Sequence, residues 1–319
     1  MATHNAPYLH SSTEGTLGRP FELLQAAVLQ ELAERFDVSV GGLAVRHGDL
    51  AGTGTDVARI RRASGFGWDA TMSAAASETS AISPVAIDSN IDTITLARYV
   101  LAYSQSFTRG ILEDDGLGVE ALAATVVDSY LANLRSLTIT QAQTFSTNLA
   151  NAAATMDVDD AIAVRAGFEE TTGYSGEMVN VMLAPVQTSH LRASMRSEAA
   201  LVFPDRFDAD QSMQRNAGFR FNFLDMAWWA SGDITVSGGD YIGAAWVPGA
   251  VQYVIGSTSR ILADIQDAEP QVIPEWGIVV TKNTSGNTAQ TQRDINAYVG
   301  VGTVDASVYP QFLVQSNAT

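Results

Sequence analysis

The sequence feature that most constrains the fold is a long helical pattern that directly follows an acidic cluster. Between residues 116 and 153, apolar side chains recur every three or four positions, which is the spacing of one helix face. The main stripe consists of Leu122, Val126, Tyr130, Leu134 and Leu137. Glu113, Asp114 and Asp115 precede it, and carboxylates at a helix start accept hydrogen bonds from free N–H groups. We therefore predict a helix that serves as a structural axis and is capped by these acids.

A strand pattern with apolar residues on both faces lies just ahead of the acidic cluster, in residues 91–108. Alternation places one set on one face and a second set on the other: Ile94, Leu96, Arg98, Val100 and Ala102, then Thr95, Ala97, Tyr99, Leu101 and Tyr103. Neither face is clearly a solvent face. The polar residues 88–90 separate this pattern from residues 68–87, and we predict that the two segments are the long strands of a β-hairpin.

The first 68 residues contain one helical pattern between two segments without a clear period. Residues 1–18 are polar and predict a flexible arm. Residues 20–36 predict a helix whose apolar stripe must pack on another part of the protein, and the stripe consists of Phe21, Leu24, Val28, Leu32 and Phe36. Residues 38–68 are rich in glycine and arginine, and we expect a long, weakly structured connection there.

After residue 156 the patterns alternate and then become mostly those of strands. Residues 157–173 predict a helix that again begins with acids. Residues 177–195 predict a buried strand, a turn at Pro185 and a short helix. From residue 218 onwards, apolar strand patterns are separated by Gly, Asn and Ser. No repeat of roughly 20–50 residues is present, which argues against solenoids and propellers, so we predict an α+β fold.

The charge balance favours self-association over nucleic-acid recognition. The net charge is −17, whereas affinity for nucleic acid comes chiefly from Lys and Arg that neutralise phosphates. Charged residues make up only 17% of the chain, so much of its surface is small and uncharged and is easily buried against copies of itself. Arg59, Arg61 and Arg62 form the densest basic run, and amid this excess of acid we expect them to pair with carboxylates within the chain or between subunits.

No pattern of catalytic or metal-binding residues stands out. The chain has no Cys, its four histidines never fall at the i, i+4 spacing of a helical metal pair, and the common nucleophile and phosphate-binding motifs are missing. The N-terminus lacks the basic and apolar regions of a signal peptide, and no apolar run reaches the about 18 residues of a membrane span. We expect a soluble, intracellular, non-enzymatic protein without a cofactor or a bound metal.

The run TRGILEDD at residues 108–115 joins the strand pattern to the long helix. It resembles the S-R-E-L-L-E-D signature of tailed-bacteriophage major capsid proteins with the Hong Kong 97-like fold. The order of elements is similar too. Three later segments resemble further parts of that fold: VNVMLAPVQTSHLR, YIGAAWVPGAVQYV and GTVDASVYPQFLV. The resemblance covers roughly residues 66–319, and the order of elements carries most of it.

The resemblance implies an α+β Hong Kong 97-like capsid fold in four parts. These are an N-terminal arm in residues 1–65 with a helix at 20–36, an extended β-hairpin loop in 66–110, a peripheral domain with a long spine helix in 111–150 and 255–319, and an axial domain in 151–254. It implies a major capsid protein that self-assembles into the icosahedral shell enclosing the double-stranded DNA of a tailed phage.

The expected partners follow from the same resemblance. They are other copies of the chain in hexameric and pentameric capsomers, a separate scaffolding protein, a portal, decoration proteins and non-specifically contacted packaged DNA, with no membrane. We expect the protein in the virion capsid, assembled in the host cytoplasm. The candidate intersubunit contacts lie in the arm, in the hairpin and at its joint to the helix: Arg59, Arg61, Arg62, Arg98, Tyr99, Tyr103, Arg109, Glu113 and Asp114.

One family feature is missing from this sequence. Some members of the family join neighbouring subunits covalently through a Lys of the extended loop. The sole lysine here is Lys282, which lies outside the predicted loop. We therefore expect no covalent cross-link from the loop. No long charged helical segment precedes the arm, so we expect the scaffold to be a separate protein.

Two other functions stay open at the level of sequence. An encapsulin nanocompartment, a protein shell around an enzyme cargo, shares the fold and is barely separable by residues alone. An acidic hydrolase would use a pair of carboxylates, for which Asp114 with Asp160 or Asp225 are the candidates.

Overall fold

The computed structural model of the chain describes residues 28–30, 32, 42–49, 56–64, 88–106, 117–171, 174, 176–199, 219–264, 270–283, 290–306 and 309–318. The four helices of this part of the chain are α1 (Leu117–Ala142), α2 (Val158–Glu170), α3 (Pro185–Ala199) and α4 (Thr258–Asp264). Residues 28–30 and 32 are helical as well, and a 3-10 turn spans Pro274–Trp276.

The strands fall into two larger sheets and one ribbon. In chain order they are β1 (Val45–Asp49), β2 (Val57–Ser64), β3 (Asp88–Thr95), β4 (Ala97–Ser106), β5 (Val179–Leu183), β6 (Phe219–Phe223), β7 (Met226–Ala230), β8 (Val236–Ser237), β9 (Asp240–Trp246), β10 (Val251–Ile255), β11 (Gln271–Ile273), β12 (Ile278–Asn283), β13 (Gln290–Thr303) and β14 (Gln311–Asn317).

The first sheet is built around the fourteen-residue strand β13. β4 pairs with one edge of β13, while β12 and β10 pair in succession along its other edge, with β11 and β1 outside them. Helix α1 packs against this sheet and buries Val127, Tyr130 and Leu134 in a common core with Ile295 and Val299. Helix α1, which was predicted to be a structural axis, therefore packs across one face of the first sheet.

Helix α1 is confirmed in type and position, but it is shorter than its apolar pattern. It ends at Ala142, where the hydroxyl of Thr144 donates to the carbonyl of Gln141. The following residues leave the helix because they pair with β14, as shown by a hydrogen bond of 3.1 Å from the Leu149 N–H to the Leu313 carbonyl. The apolar period continues beyond the helix because these extended residues also face a core.

The second sheet has the order β14-β9-β5-β7-β6, with β8 beside β9. Strand β5 runs parallel to β7 and antiparallel to β9. Helices α2 and α3 contribute Val164, Phe168, Leu191 and Met195 to a second core, together with Trp228 of β7. This core explains why residues 177–195 form a buried strand, a tight connection at Pro185 and a helix, as the sequence predicts.

The acids at the start of α2 form a capping box. The Asp157 side chain accepts a hydrogen bond of 2.9 Å from the Asp160 N–H, and the Asp160 carboxylate accepts one of 3.3 Å from the Asp157 N–H. Asp160 also accepts from the Asn151 N–H at 2.9 Å. Burial raises the pKa of the Asp160 carboxyl, and these backbone hydrogen bonds oppose that rise. The predicted helix and its acidic start are confirmed.

Two predictions in the first hundred residues are wrong. Residues 38–68 are not a weakly structured connection throughout, because they contain β1 and β2. The polar residues 88–90 are not a turn, because they lie in β3 and pair with β2, with Arg62 opposite Asn90. A two-stranded ribbon exposes much of its surface, so polar residues within it do not mark a break. The predicted partner strand, residues 68–87, lies outside the described residues.

The predicted strand 91–108 divides at Leu96. Residues up to Thr95 pair with β2, whereas residues from Ala97 onwards pair with β13 in the first sheet. The Leu96 N–H donates to the Asp56 carbonyl at 2.8 Å, so the junction is held by the residue that precedes β2. The last strand, β14, pairs with β9 in the second sheet and also bonds the residues just after α1.

The turn between β6 and β7 has a left-handed backbone conformation that substitutions can test. Its two central residues, Leu224 and Asp225, have φ values of 53° and 55°, a conformation that favours glycine. Asp225 is exposed, so Asp225→Gly should raise the free energy of unfolding by roughly 0.5–1 kcal/mol in urea titrations. Asp225→Ala is the matched control and should lower it; equal or reversed effects would contradict the turn.

Candidate functional site

The ribbon formed by β2 and β3 has one buried and one exposed face. Ala58, Ile60 and Ile94 alternate with exposed residues and are buried, as is Leu96 just after the ribbon. They pack in a third core whose other buried members are Val254, Ile261, Val279, Tyr298 and Val304. The apolar face of the ribbon therefore packs against the first sheet of the same chain. The sequence pattern did not predict this packing.

The ribbon approaches the first sheet at three glycines. A Cβ on Gly300 would lie 2.6 Å from the backbone oxygen of Thr95, and one on Gly302 would lie 2.7 Å from Cγ1 of Ile94. A Cβ on Gly256 would lie 2.6 Å from Cδ2 of Leu96. Gly300 and Gly302 alternate along β13 and share one face of it, so they form a floor without side chains on which β3 lies.

The opposite face of the ribbon is exposed and partly apolar. Val57 and Ile91 are 39% and 47% exposed, and in β4 Val100 is 56% exposed. Arg59 is exposed on the same face of the ribbon as Val57 and is paired in register with Thr93. These exposed residues make this face of the ribbon a candidate surface for contact with another protein.

Asp56 lies where the ribbon joins the first sheet. Its carboxylate accepts hydrogen bonds from the Tyr298 hydroxyl and, at 2.7 Å, from the Arg260 guanidinium. Its carbonyl accepts from the Leu96 N–H. Asp56, Arg98, Arg260 and Tyr298 line one cleft of about 370 Å³. Burial, and then the hydrogen bond to the Asp56 carboxylate and its negative charge, raise the pKa of Tyr298 to about 12.

Arg98 is oriented by its own chain. Its Nε and one terminal nitrogen donate to Oδ1 of Asn296 at 3.0 and 2.7 Å. Asn296 is fully buried and donates to the carbonyls of Val279 and Asp294. Arg98 as a whole residue is exposed, and its two hydrogen bonds to Asn296 fix the direction of its guanidinium.

The nine predicted contact residues differ in how much of each the structure describes. Arg59 and Arg98 are exposed, whereas Tyr99 is half-buried and packs against the core beneath α1. The backbones of Arg61, Arg62 and Tyr103 lie in β2 and β4. The other three lie outside the described residues: Arg109, Glu113 and Asp114. The sequence analysis missed Asp56, Arg260 and Tyr298, for which no local motif exists.

The structure describes the surroundings of two of the three carboxylates that were proposed for a hydrolase. Asp160 is occupied by the capping box, Asp225 lies exposed in the β6–β7 turn, and Asp114 lies outside the described residues. Within the described ranges, no three His, Cys, Asp or Glu side chains are grouped so that they could hold a metal ion. The helices described in this structure include none long and apolar enough to cross a membrane.

The chain is similar in structure to known shell proteins. The head structure of Helicobacter pylori bacteriophage KHP40 matches with a TM-score of 0.55 and 11% identity, over 85% of this chain and 86% of that chain. The capsid of an empty GTA particle matches with a TM-score of 0.55 and 13% identity, over 88% and 97%. The holo-SrpI encapsulin complex from Synechococcus elongatus PCC 7942 matches with a TM-score of 0.53 and 9% identity, over 86% and 84%.

Sequence comparison finds no such neighbours: no protein-family model and no curated protein matches the chain. The structural likeness shows the fold. The chain has the mixed helix-and-sheet Hong Kong 97-like fold, so the predicted fold class and the resemblance that suggested it are confirmed at the level of fold.

The glycine floor predicts a specific sensitivity to added methyl groups. Gly300→Ala should lower the free energy of unfolding by about 1–3 kcal/mol, because the new Cβ meets a backbone oxygen that cannot rotate away. Gly232→Ala is the matched control, since a Cβ there meets nothing within 4 Å. Urea unfolding of both variants measures the difference, and equal stabilities would show that β3 does not lie on Gly300.

The raised pKa of Tyr298 predicts a change in stability at alkaline pH. A tyrosine with an ordinary pKa of 10.0 in the unfolded chain and about 12 in the folded protein stabilises the fold fully below pH 10. That contribution is lost as the pH rises towards 12, because the unfolded chain releases its proton first. The free energy of unfolding should therefore fall more steeply over this interval in the unaltered protein than in Tyr298→Phe; parallel profiles would contradict the assignment.

Proposed function

We propose that this chain is a major capsid protein that self-assembles into the icosahedral shell of a tailed phage and encloses its double-stranded DNA. The observation that carries the proposal is the likeness of nearly the whole chain to phage head proteins, over 85% of this chain and 86% of the KHP40 chain. Because both chains are covered almost to their full length, the likeness is not that of one common subdomain.

The exposed face of the ribbon supports a role in contacts between subunits. A closed shell repeats the same contacts many times, and the apolar Val57 and Ile91 would be covered by a neighbouring copy. Arg59 and Arg98 would then meet carboxylates of that neighbour, which an acidic chain with a net charge of −17 supplies in excess. The remaining candidates are proposed for contacts between subunits as well: Arg61, Arg62, Tyr103, Arg109, Glu113 and Asp114, and that part of Tyr99 which its own core leaves exposed.

The protein acts as a structural subunit of the virion and not as an enzyme. Its copies form hexameric and pentameric capsomers in the host cytoplasm. A separate scaffolding protein, a portal and decoration proteins are its further partners, and packaged DNA is contacted without sequence preference. A net charge of −17 suits this last role, since an acidic protein does not adhere strongly to the phosphates of the cargo.

The division into parts follows the same proposal. Residues 1–65 are the arm, 66–110 the extended hairpin loop, 151–254 the axial domain, and the remaining residues the peripheral domain around α1. The pairing of β2 with β3 supports moving the start of the hairpin loop back to Val57. The pairing of β14 with β9 supports assigning the last strand to the axial domain.

An encapsulin nanocompartment is the second candidate function. The likeness to the holo-SrpI encapsulin complex, with a TM-score of 0.53, lies close to the likeness to phage capsids. The two proposals differ in cargo. Native particles that contain DNA favour the capsid, and particles that contain an enzyme and no nucleic acid favour the nanocompartment.

Particle formation tests the proposed function. The full chain, expressed alone and with candidate scaffolding proteins from the same gene cluster, should elute from a sizing column as capsomers or megadalton particles. Negative-stain electron microscopy should then show closed shells. A stable small oligomer that never assembles under these conditions would contradict a shell protein and favour the hydrolase.

A charge reversal at Arg109 tests whether this residue makes a contact between subunits. Arg109→Glu should block particle formation while the circular dichroism spectrum stays unchanged, because an arginine that pairs with a neighbour's carboxylate becomes a repelling charge. Arg109→Lys keeps the charge and should retain part of the particle yield. Particles of normal yield from Arg109→Glu would show that Arg109 makes no intersubunit contact.

A further inference from the structure

One residue, Asp56, contacts three segments at the base of the ribbon through its backbone carbonyl and its carboxylate. Asp56 directly precedes β2, and its carbonyl holds the Leu96 N–H at the junction of β3 and β4. Its side chain binds Arg260 of α4 at 2.7 Å and the hydroxyl of Tyr298 in β13. Both strands of the ribbon are thus tied at the same end, where Val57 pairs with Thr95, to the first sheet and to α4 through a single residue.

The surface beneath the ribbon makes this tie important. Gly300 and Gly302 have no side chains, so β3 lies on a floor without side chains, and Ile94 is the nearest side chain to both positions. Apolar burial favours contact with the floor but is not directional. Hydrogen bonds have preferred geometry, and the bonds of Asp56 supply the direction that the floor does not.

We propose that Asp56 is a positioning residue that holds the ribbon at one angle in the unassembled subunit. The exposed face with Val57 and Ile91 is then oriented before it meets a second copy of the chain. A preorganised surface loses less conformational entropy on association, so subunits assemble at lower concentration. The consequence for assembly rests on the proposed function, whereas the angle of the ribbon is a property of the single chain.

The chemistry of the cluster predicts which conditions release the ribbon. Asp56 and Arg260 are both partly exposed, so salt screens their attraction. The Tyr298 ring is buried in the third core, and its hydrogen bond to Asp56 is less sensitive to salt. High salt therefore weakens the side-chain contacts in part, and removal of the Asp56 carboxylate abolishes them, whereas the backbone hydrogen bond from Leu96 to Asp56 remains.

Hydrogen exchange on the purified, unassembled full chain tests the positioning role. In Asp56→Ala, amides of residues 57–64 and 88–95 should exchange about tenfold faster, whereas amides of α1 and β5 keep their rates. Glu169→Ala is the matched control, because it removes a partly exposed carboxylate that binds Arg165 at 2.8 Å, away from the ribbon. The control should leave the ribbon amides unchanged.

Two further measurements separate positioning from general stability. Tyr298→Phe keeps the ion pair to Arg260 and should give a smaller increase in exchange, confined to the same amides. Raising the salt from about 0.05 M to about 1 M should accelerate ribbon exchange in the unaltered chain but not in Asp56→Ala. If ribbon exchange in Asp56→Ala equals that of Glu169→Ala, or rises equally over the whole chain, the proposal is overturned.

Assembly gives the last readout. If the ribbon is preorganised for contact, Asp56→Ala should still form shells but should need a severalfold higher subunit concentration for half-maximal assembly. An unchanged concentration would overturn the link between ribbon angle and assembly. If the unaltered chain forms no particles at all, the proposed function fails, while the exchange rates still decide whether Asp56 positions the ribbon.

Discussion

The close approach of β3 to the glycines of β13 is the contact on which the rest of the candidate surface depends. With a Cβ at Gly300, the backbone of Thr95 could not lie where it does, since the two atoms would be 2.6 Å apart. The buried face of the ribbon would then lose its contact with the third core. The absence of a side chain at Gly300 therefore allows the ribbon to lie close to β13, and the contacts of Asp56 then set its direction.

Three acids of the described residues stabilise local structure through hydrogen bonds. Asp157 and Asp160 satisfy N–H groups at the start of α2, and Asp56 holds a ribbon through one hydroxyl and one guanidinium. In each case the carboxylate has at least one hydrogen-bond donor with a fixed direction. A net charge of −17 is therefore compatible with a structural protein, because part of the acid stabilises the fold it belongs to.

The sequence predicts those parts of the fold whose cause is local. Helix α1, the capping box of α2 and the connection at Pro185 each follow from residues within a few positions of one another. The ribbon was predicted wrongly because β2 and β3 are separated by residues 65–87, and no local pattern says which strand pairs with which. The Asp56 cluster was missed because its partners lie 204 and 242 positions away. The alternate glycines at 300 and 302 are visible in the sequence. Only the structure shows that they lie on the face of β13 that contacts β3.

The structure also limits how much of the N-terminal region can reach a neighbour. The Asn180 side chain donates to the Gly42 carbonyl at 2.6 Å, and the Trp246 indole donates to the Leu43 carbonyl at 2.9 Å. Leu43 is buried, and Val28 and Leu32 lie in the core beneath α1. Each of these contacts would have to break before Val28, Leu32 and Leu43 could leave the subunit, at the cost of exposing three apolar side chains. Residues 42–49 and 56–64 of the proposed arm therefore pack in the fold of this subunit, which leaves the residues ahead of Val28 as the part proposed to reach a neighbour.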